Sequence, residues 1–319
     1  MLIMRMGTRN GVVSLERTDD TWNVTGLSLE GHDVWVVASR PGAADMVYAG
    51  AYGTGLFRSE DGGRGWERIG GDAGIEYVRS IAFAPHDPLT VYVGTEPANL
   101  YMSTDGGKTW TDLSIRRLPE SDQWSLPYSP RAGAVRALAL HPAQPDLIYG
   151  ALEVGGLLKS TDRGENWTIT HDGVHIDVHG LAVHPEDPNL LYAATAGGVY
   201  RSVDGASSWQ HLTEGYTRAV ALLPQNPQHL FAGPARRVGH EGRILGSTDG
   251  GATWTLAATG LDLPMEDMVE SFVISPHLPD EILAVRSGGS VVISPLDGIR
   301  WRPLDPHIDS VHSLDIAAQ

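Results

Sequence analysis

Three arginines hold the same slot in three similar segments: Arg79 in VRSIAFAP, Arg136 in VRALALHP and Arg218 in TRAVALLP. A guanidinium presents a planar fork of donors matched to carboxylate, sulfate or phosphate, so arginines gathered at one place would hold an anion. The same slot carries Trp35 in VWVVASRP, His179 in VHGLAVHP, Glu270 in VESFVISP and His312 in VHSLDIAA. Ionisable residues at six of seven equivalent positions crowd charge together, which is costly unless the groups pair or bind something. His179, His312 and Glu270, with Glu153 and Glu96 from a neighbouring motif, are the candidates for moving protons. Arg79, Arg136, Arg218, Trp35, Tyr52 and Arg286 are the candidates for holding a ligand. Acids stand shortly before several of these slots: Asp33, Glu76, Asp177, Asp267 and Asp309. Two readings compete, an internally neutralised lattice that fastens the units together and a ligand pocket.

A metal reading centres on HDGVHIDVH (171–179), where His175, Asp177 and His179 alternate and an extended strand would turn them to one side. His312 or His32 would join them, in a nitrogen and oxygen set suited to zinc, manganese or iron. No cofactor is required by the sequence, and a divalent metal is the one candidate. Glycoside hydrolysis needs two carboxyls, about 5–5.5 Å apart for retention or about 6.5–9.5 Å for inversion. Glu96 and Glu153 on adjacent units, facing Asp177 or Glu270, are the carboxyls on offer. Serine nucleophiles and nucleotide loops lack their GxSxG, P-loop and GxGxxG motifs. His141 and His184, each before a proline, read as turn residues at strand ends.

The elements that position these residues come from repetition. SEDGGRGW (59–66), STDGGKTW (103–110), STDRGENW (160–167), SVDGASSW (202–209) and STDGGATW (247–254) share the frame Ser-x-Asp-x-Gly-x-x-Trp. SPLDGIRW (294–301) has Leu296 at the Asp position, and the run ending at Trp22 keeps only the tryptophan. Asp61, Asp105, Asp162, Asp204 and Asp249 are read as structural, each accepting hydrogen bonds inside its own turn, with Gly supplying the positive φ. Between these motifs lie the Pro-ended runs quoted above, then a second run such as TVYVG (90–94) or LIYGA (147–151), then a third such as GVYRS. Four strands in units of roughly 40–50 residues are the pattern of a β-propeller blade. The expected fold is all-β, a single domain over 1–319 with seven blades of four antiparallel strands. Its ring is closed by a C-terminal strand, 311–318, that joins the N-terminal strands, so blade 1 is formed by 1–27 plus 310–319.

These motifs resemble the Asp-box propellers, also called BNR repeats, of sialidases, xyloglucan-active glycosidases, sortilin-type receptors and photosystem II assembly factors. The resemblance covers the chain through its repeats and implies the propeller fold. It implies either a glycosidase-like pocket or a platform that recognises a partner protein by a basic patch. Sialidases are six-bladed and carry a Phe/Tyr-Arg-Ile-Pro motif that this chain lacks, and the xyloglucan-active enzymes use two tandem propellers. In a propeller the first strands line the channel and begin on the face opposite the Asp motifs. The two longest excursions, 114–134 and 233–243, fall on that face and carry Arg116, Arg117, Arg131, Arg236, Arg237, His240 and Arg243. Extra length in a repeat marks the binding side.

Composition bounds the partners. With 23 Lys and Arg against 39 Asp and Glu, the net charge of −16 repels a phosphate backbone, so no nucleic acid is expected. Zero Cys excludes disulfides and thiol chemistry. No apolar run approaches the roughly 18–20 residues that span a bilayer, and Arg5 interrupts the start, so the chain reads as soluble and cytoplasmic, without a membrane partner. The leading expectation is an enzyme-like pocket at the channel mouth for a small anionic or carbohydrate-type ligand, a hydrolase or lyase. The alternatives are a non-catalytic interaction or assembly platform and a metal-dependent hydrolase or lyase. The oligomeric state is left open, a monomer being compatible.

Overall fold

The computed structural model describes all 319 residues. Seven antiparallel sheets stand around a common axis, the architecture of a seven-bladed β-propeller. The innermost strands of blades 2 to 7 are Val34–Arg40, Val78–Ala84, Ala134–Leu140, Val178–Val183, Tyr216–Leu223 and Val269–Ser275. Blade 1 begins with the C-terminal Val311–Ala318, which pairs with Leu2–Thr8, followed by Gly11–Thr18 and Thr21–Ser28. Each innermost strand touches the next, and the seventh touches the first, so the ring is closed. Blade 6 departs from the pattern: its second strand, Asn226–Arg237, runs on into a hairpin with His240–Gly242, giving a five-stranded sheet. The only helical pieces are two short 3-10 turns, Ile115–Arg117 and Pro119–Gln123, in the connection from blade 3 to blade 4. No helix is long and apolar enough to cross a membrane.

The second strands read as unbroken apolar runs because both of their faces are covered by neighbouring blades. Ile148–Glu153 is buried along its whole length. The apolar clusters accordingly span blades; one joins Met4, Leu15 and Trp22 of blade 1 to Leu283, Ile293 and Leu304 of blade 7. Close approach at the hub needs a missing side chain at Gly94, where a Cβ would stand 2.4 Å from Ser80 Oγ and 2.8 Å from the Val135 carbonyl.

The Asp motifs form self-contained turns on the face away from the innermost strands' starts. Asp105 Oδ1 accepts from the backbone N–H groups of Lys108 and Thr109, while Ser103 Oγ accepts from Gly107 and donates to Asp105. Asp61, Asp162, Asp204 and Asp249 make the equivalent bonds. Trp66, Trp110, Trp167 and Trp254 each donate Nε1–H to the glycine carbonyl three residues back. Trp209, whose turn has Ala206 there, leaves its indole N–H without a partner.

Candidate functional site

Seven β-bulges build the site. In each innermost strand the register with the second strand slips, across one residue at 34/36, 78/80, 135/137, 178/180, 269/271 and, in blade 1, 311/313, and across two at 217/220. The residues skipped are Trp35, Arg79, Arg136, His179, Arg218 (with Ala219), Glu270 and His312. A bulge leaves its extra residue outside the ladder and re-aims the side chain, which lets an ionisable group leave the apolar face of a core strand. All seven line one cavity of about 600 Å³ at the channel mouth, with Arg9, Tyr128 and Arg286.

Within this collar the charges alternate. Arg131, Glu96, Arg79, Glu153, Arg136, Glu270 and Arg218 form a continuous chain of ion pairs that joins blades 3, 4, 7 and 6. Arg131 lies 3.3 Å from Glu96, Arg136 3.1 Å from Glu153, and the longer links, Arg79–Glu153 and Arg136–Glu270, are 3.6 Å. In this chain four arginines meet three glutamates, and only Glu270 of the three lines the cavity. Arg9 adds a positive charge at the exposed rim, where its side chain has no partner.

Two histidine–carboxylate pairs complete the ring. His179 Nδ1–H donates to the Thr217 carbonyl at 2.8 Å, which turns Nε2 to Asp177 Oδ1 at 3.1 Å and Tyr216 Oη at 3.3 Å. His179 is buried and Asp177 half-buried. His312 is part-exposed; its Nε2–H donates to Asp33 Oδ1 at 2.8 Å, leaving the Nδ1 lone pair without a protein partner. Asp33 Oδ2 accepts the Trp35 indole N–H, so both its oxygens are fixed.

Several sequence expectations change in the folded chain. Glu96 and Glu153 lie behind the arginines, 0% and 3% exposed, and do not line the cavity. Burial pushes the Glu153 carboxyl up, but Arg136, the Tyr128 hydroxyl, Arg79 and His179 together outweigh it and hold the group below its usual range. Burial likewise opposes ionisation of Asp177, and His179 and the Val154 N–H overcome it. Carboxyls held ionised are poor proton donors, so neither supplies a general acid. Tyr52 stacks on Trp35 at 4.7 Å and donates to Glu96 at 3.0 Å, and Arg79 covers Trp35 at 4.4 Å. Both therefore serve as packing, with Tyr52 outside the cavity. Arg286 does reach the cavity, held by Asp267 at 2.7 Å.

The metal trio also changes membership. His175 is exposed and accepts the Asp177 N–H, and Glu153 takes its place near Asp177 and His179, with donor atoms within 4.8 Å of one another. The arrangement fits a cation poorly: Tyr128 and Arg136 occupy the two Glu153 oxygens at 2.6 and 3.1 Å, and two guanidiniums stand beside them. Of the cations on the two excursions, only Arg131 meets the collar, stacked on Tyr77 at 3.9 Å. Arg116, Arg117, Arg236, Arg237, His240 and Arg243 are exposed outside the cavity. Glu76 makes no ion pair, and Asp309 pairs with exposed His307 at 2.9 Å. His141 and His184 accept backbone N–H groups of the turns that follow them. Sequence reasoning missed Tyr128 and Arg9. Tyr128 lies in the long 114–134 excursion, whose length was the signal; nothing in the local sequence marks Arg9.

The family model for the BNR/Asp-box repeat matches residues 101–112. No curated protein matches the chain. Among solved structures the chain is similar to the GH74 xyloglucanase from Xanthomonas campestris, at 20% identity and TM-score 0.72, covering 92% of this chain and 50% of that one. An ancestral GH74 enzyme matches at 17% identity and TM-score 0.68, covering 89% of this chain and 38% of that one. The chain thus spans half or less of these enzymes. YCF48 from Cyanidioschyzon merolae matches at 15% identity and TM-score 0.62 over 90% of this chain and 89% of that one. These likenesses are likenesses of fold.

Proposed function

We propose that the hub cavity is a binding pocket for a small anionic molecule, sugar acids included, and that its arginine–glutamate chain is the prearranged polar wall of that pocket. The observation that carries this reading is that all seven bulge residues, one from each blade, line a single concavity. A pure fastening lattice has no need for a bulge in every blade or for a 600 Å³ opening above it. Among the residues that line the cavity, Arg9, Arg79, Arg136, Arg218 and Arg286 stand against the single carboxylate of Glu270, which favours negative charge in the guest. Trp35 has its faces covered, so recognition rests on charge and hydrogen bonds more than on stacking. If the pocket is catalytic, His312 is its base: Asp33 orients the ring and would stabilise the imidazolium while Nδ1 takes a proton from the bound guest.

The test is calorimetric titration with glucuronate, galacturonate and their neutral parent sugars. Binding of a uronate but not its neutral parent, weakened about tenfold or ~1.4 kcal/mol by Arg218→Gln, is the expected result. Equal affinity of the Arg218→Gln and Arg9→Ala variants with the parent protein, or no binding of either acid, refutes it. A second reading, a protein-docking platform, is favoured by the near-complete overlap with YCF48, one solved form of which is described as bound to a D1 peptide. Exposed Arg116, Arg117, Arg236 and Arg237 outside the cavity would serve that role.

A further inference from the structure

Six of the seven outermost strands are vestigial: Glu67–Ile69, Thr111–Asp112, Thr168–Thr170, Gln210–Thr213, Thr255–Leu256 and Arg302–Pro303 run from two to four residues. The motif turns explain this. Each spreads the third and fourth strands apart, so the ladder is short when it resumes. Blade 1 has no such turn. Its third–fourth connection is a tight hairpin through Asp19 and Asp20, both at positive φ (48° and 64°), and the ladder runs the full length of Thr21–Ser28. The result is an eight-residue outer edge, TWNVTGLS, with no charge and no proline. Val24 is 51% exposed and Leu27 45%. Soluble sheets ordinarily blunt such an edge with lysine, proline or brevity, because unpaired backbone groups recruit another strand.

A second observation lies beside the edge. A cavity of about 400 Å³ opens between this strand and the first motif turn of blade 2, lined by Thr25, Gly26, Leu27, Glu16 and Asp61 among others. Gly26 keeps it open: a Cβ built there meets nothing within 4 Å, so no neighbour requires a glycine. Glycine inside a strand marks a bulge or a close approach by another chain, and the register does slip here, between Ser14 and Leu15. Glu16 is half-buried in this cavity and has neither an ion-pair nor a hydrogen-bond partner, whereas Asp61 is tied into its own turn and exposed Arg64 donates to the Asp61 carbonyl. Asp19 and Asp20 stand exposed at the hairpin end of the edge.

We infer that the outer strand of blade 1 is a docking edge for an extended segment of another protein, which adds as a fifth strand and places a Lys or Arg side chain in the cavity against Glu16. Main-chain pairing would supply affinity and the pocket would supply selectivity, as in other strand-addition interfaces. Glu16 in the cavity, Asp19 and Glu30 flanking the edge, and the net charge of −16 select a basic segment and oppose a second copy of this chain, which would bring the same acids to the edge; Asp20 is held by Arg17 at 3.2 Å.

The experiment is fluorescence anisotropy with fluorescein-labelled octapeptides that alternate Val with Lys, alternate Val with Glu, or repeat the Lys series with every second amide N-methylated. Binding of the Val/Lys peptide alone is expected, falling about tenfold or more with Gly26→Leu, which fills the cavity without adding charge, and with Glu16→Gln. Arg9→Ala at the hub should leave it unchanged, which separates this edge from the proposed pocket. Equal binding of the N-methylated peptide, or insensitivity to both edge variants, overturns the proposal. So does a dimer in sedimentation that Val24→Lys converts to monomer, since the occupant would then be a second copy.

Discussion

At the scale of single residues the collar is governed by what happens to a buried charge when its partner is lost. Glu153 has Arg136, Arg79 and Tyr128 around it and almost no water. Replacing it by Gln leaves Arg79 with Glu96 and Arg136 with Glu270 but removes the carboxylate between them, and breaking a buried pair from one side costs about 3–5 kcal/mol. Glu153→Gln should therefore lower the urea midpoint markedly, an effect absent from Glu165→Gln on the exposed motif turn. The motif aspartates set the acid response. Bonds from the Ser208 and Thr253 side chains and backbone amides hold Asp204 and Asp249 down to about 2, below the ordinary 3.8. A depressed carboxyl stabilises the fold above its unfolded value, and that contribution is lost as pH falls through the folded one. Stability should thus drop between about pH 4 and pH 2, read by tryptophan fluorescence in urea. Asp249→Asn should show a shallower drop over that window. Asp315 works the other way, since burial raises its pKa and its contribution fades as pH rises.

At the scale of elements two devices recur with opposite effects. The bulge near the start of every innermost strand gives up one ladder position to aim a side chain at the axis. The motif turn at the other face shortens the outermost strand and so protects most blades from edge pairing. Where the turn is replaced by a hairpin, in blade 1, the edge is long and bare. Elements approach closely where the innermost strand of one blade meets the second strand of the previous one. Gly94→Val should be among the most damaging single changes there, because its side chain would overlap Ser80 Oγ and the Val135 carbonyl. Overpacking of this kind costs about 1–3 kcal/mol or more, measurable as a loss in thermal midpoint. Gly26→Leu, with open space around it, should leave the midpoint within a degree or two.

At the scale of the whole molecule, stability depends on joining the two ends of the sequence. Leu2–Thr8 and Val311–Ala318 pair over seven positions, and two side chains at this seam reach into blade 2. Arg5, fully buried, donates to Ser39 Oγ at 2.8 Å and to the carbonyls of Ala44 and Gly62 at 2.7 and 3.3 Å. Asp315 stands opposite Arg5 in the ladder and accepts the Ser39 N–H at 3.0 Å. Arg5→Ala would remove the three hydrogen bonds that fasten blade 1 to blade 2, and bonds made by a charged group contribute about 1.5–3 kcal/mol each. We expect its unfolding to lose cooperativity, with hydrogen exchange rising first in residues 2–8 and 311–318.

The amino-acid sequence by itself determined the wheel. Seven of its nine tryptophans, the Ser-x-Asp frame and the proline-ended runs are local signals, each acting within a few residues of its own turn or strand, so they survive reading along one dimension. For the same reason the equivalent slot of Arg79, Arg136, Arg218 and their counterparts could be aligned, and their meeting at the axis followed from rotational repetition. Only the tertiary structure decided what those side chains do on arrival. Pairing at a hub depends on distances between blades about 40 residues apart in the chain, and on bulges whose presence is a relation between two strands and leaves no mark in either alone. That is why Glu96 and Glu153, legible as candidate acids, turned out to be buried counterions, why His175 gave way to Glu153, and why Tyr128 and Arg9 came into view only when the ring had closed.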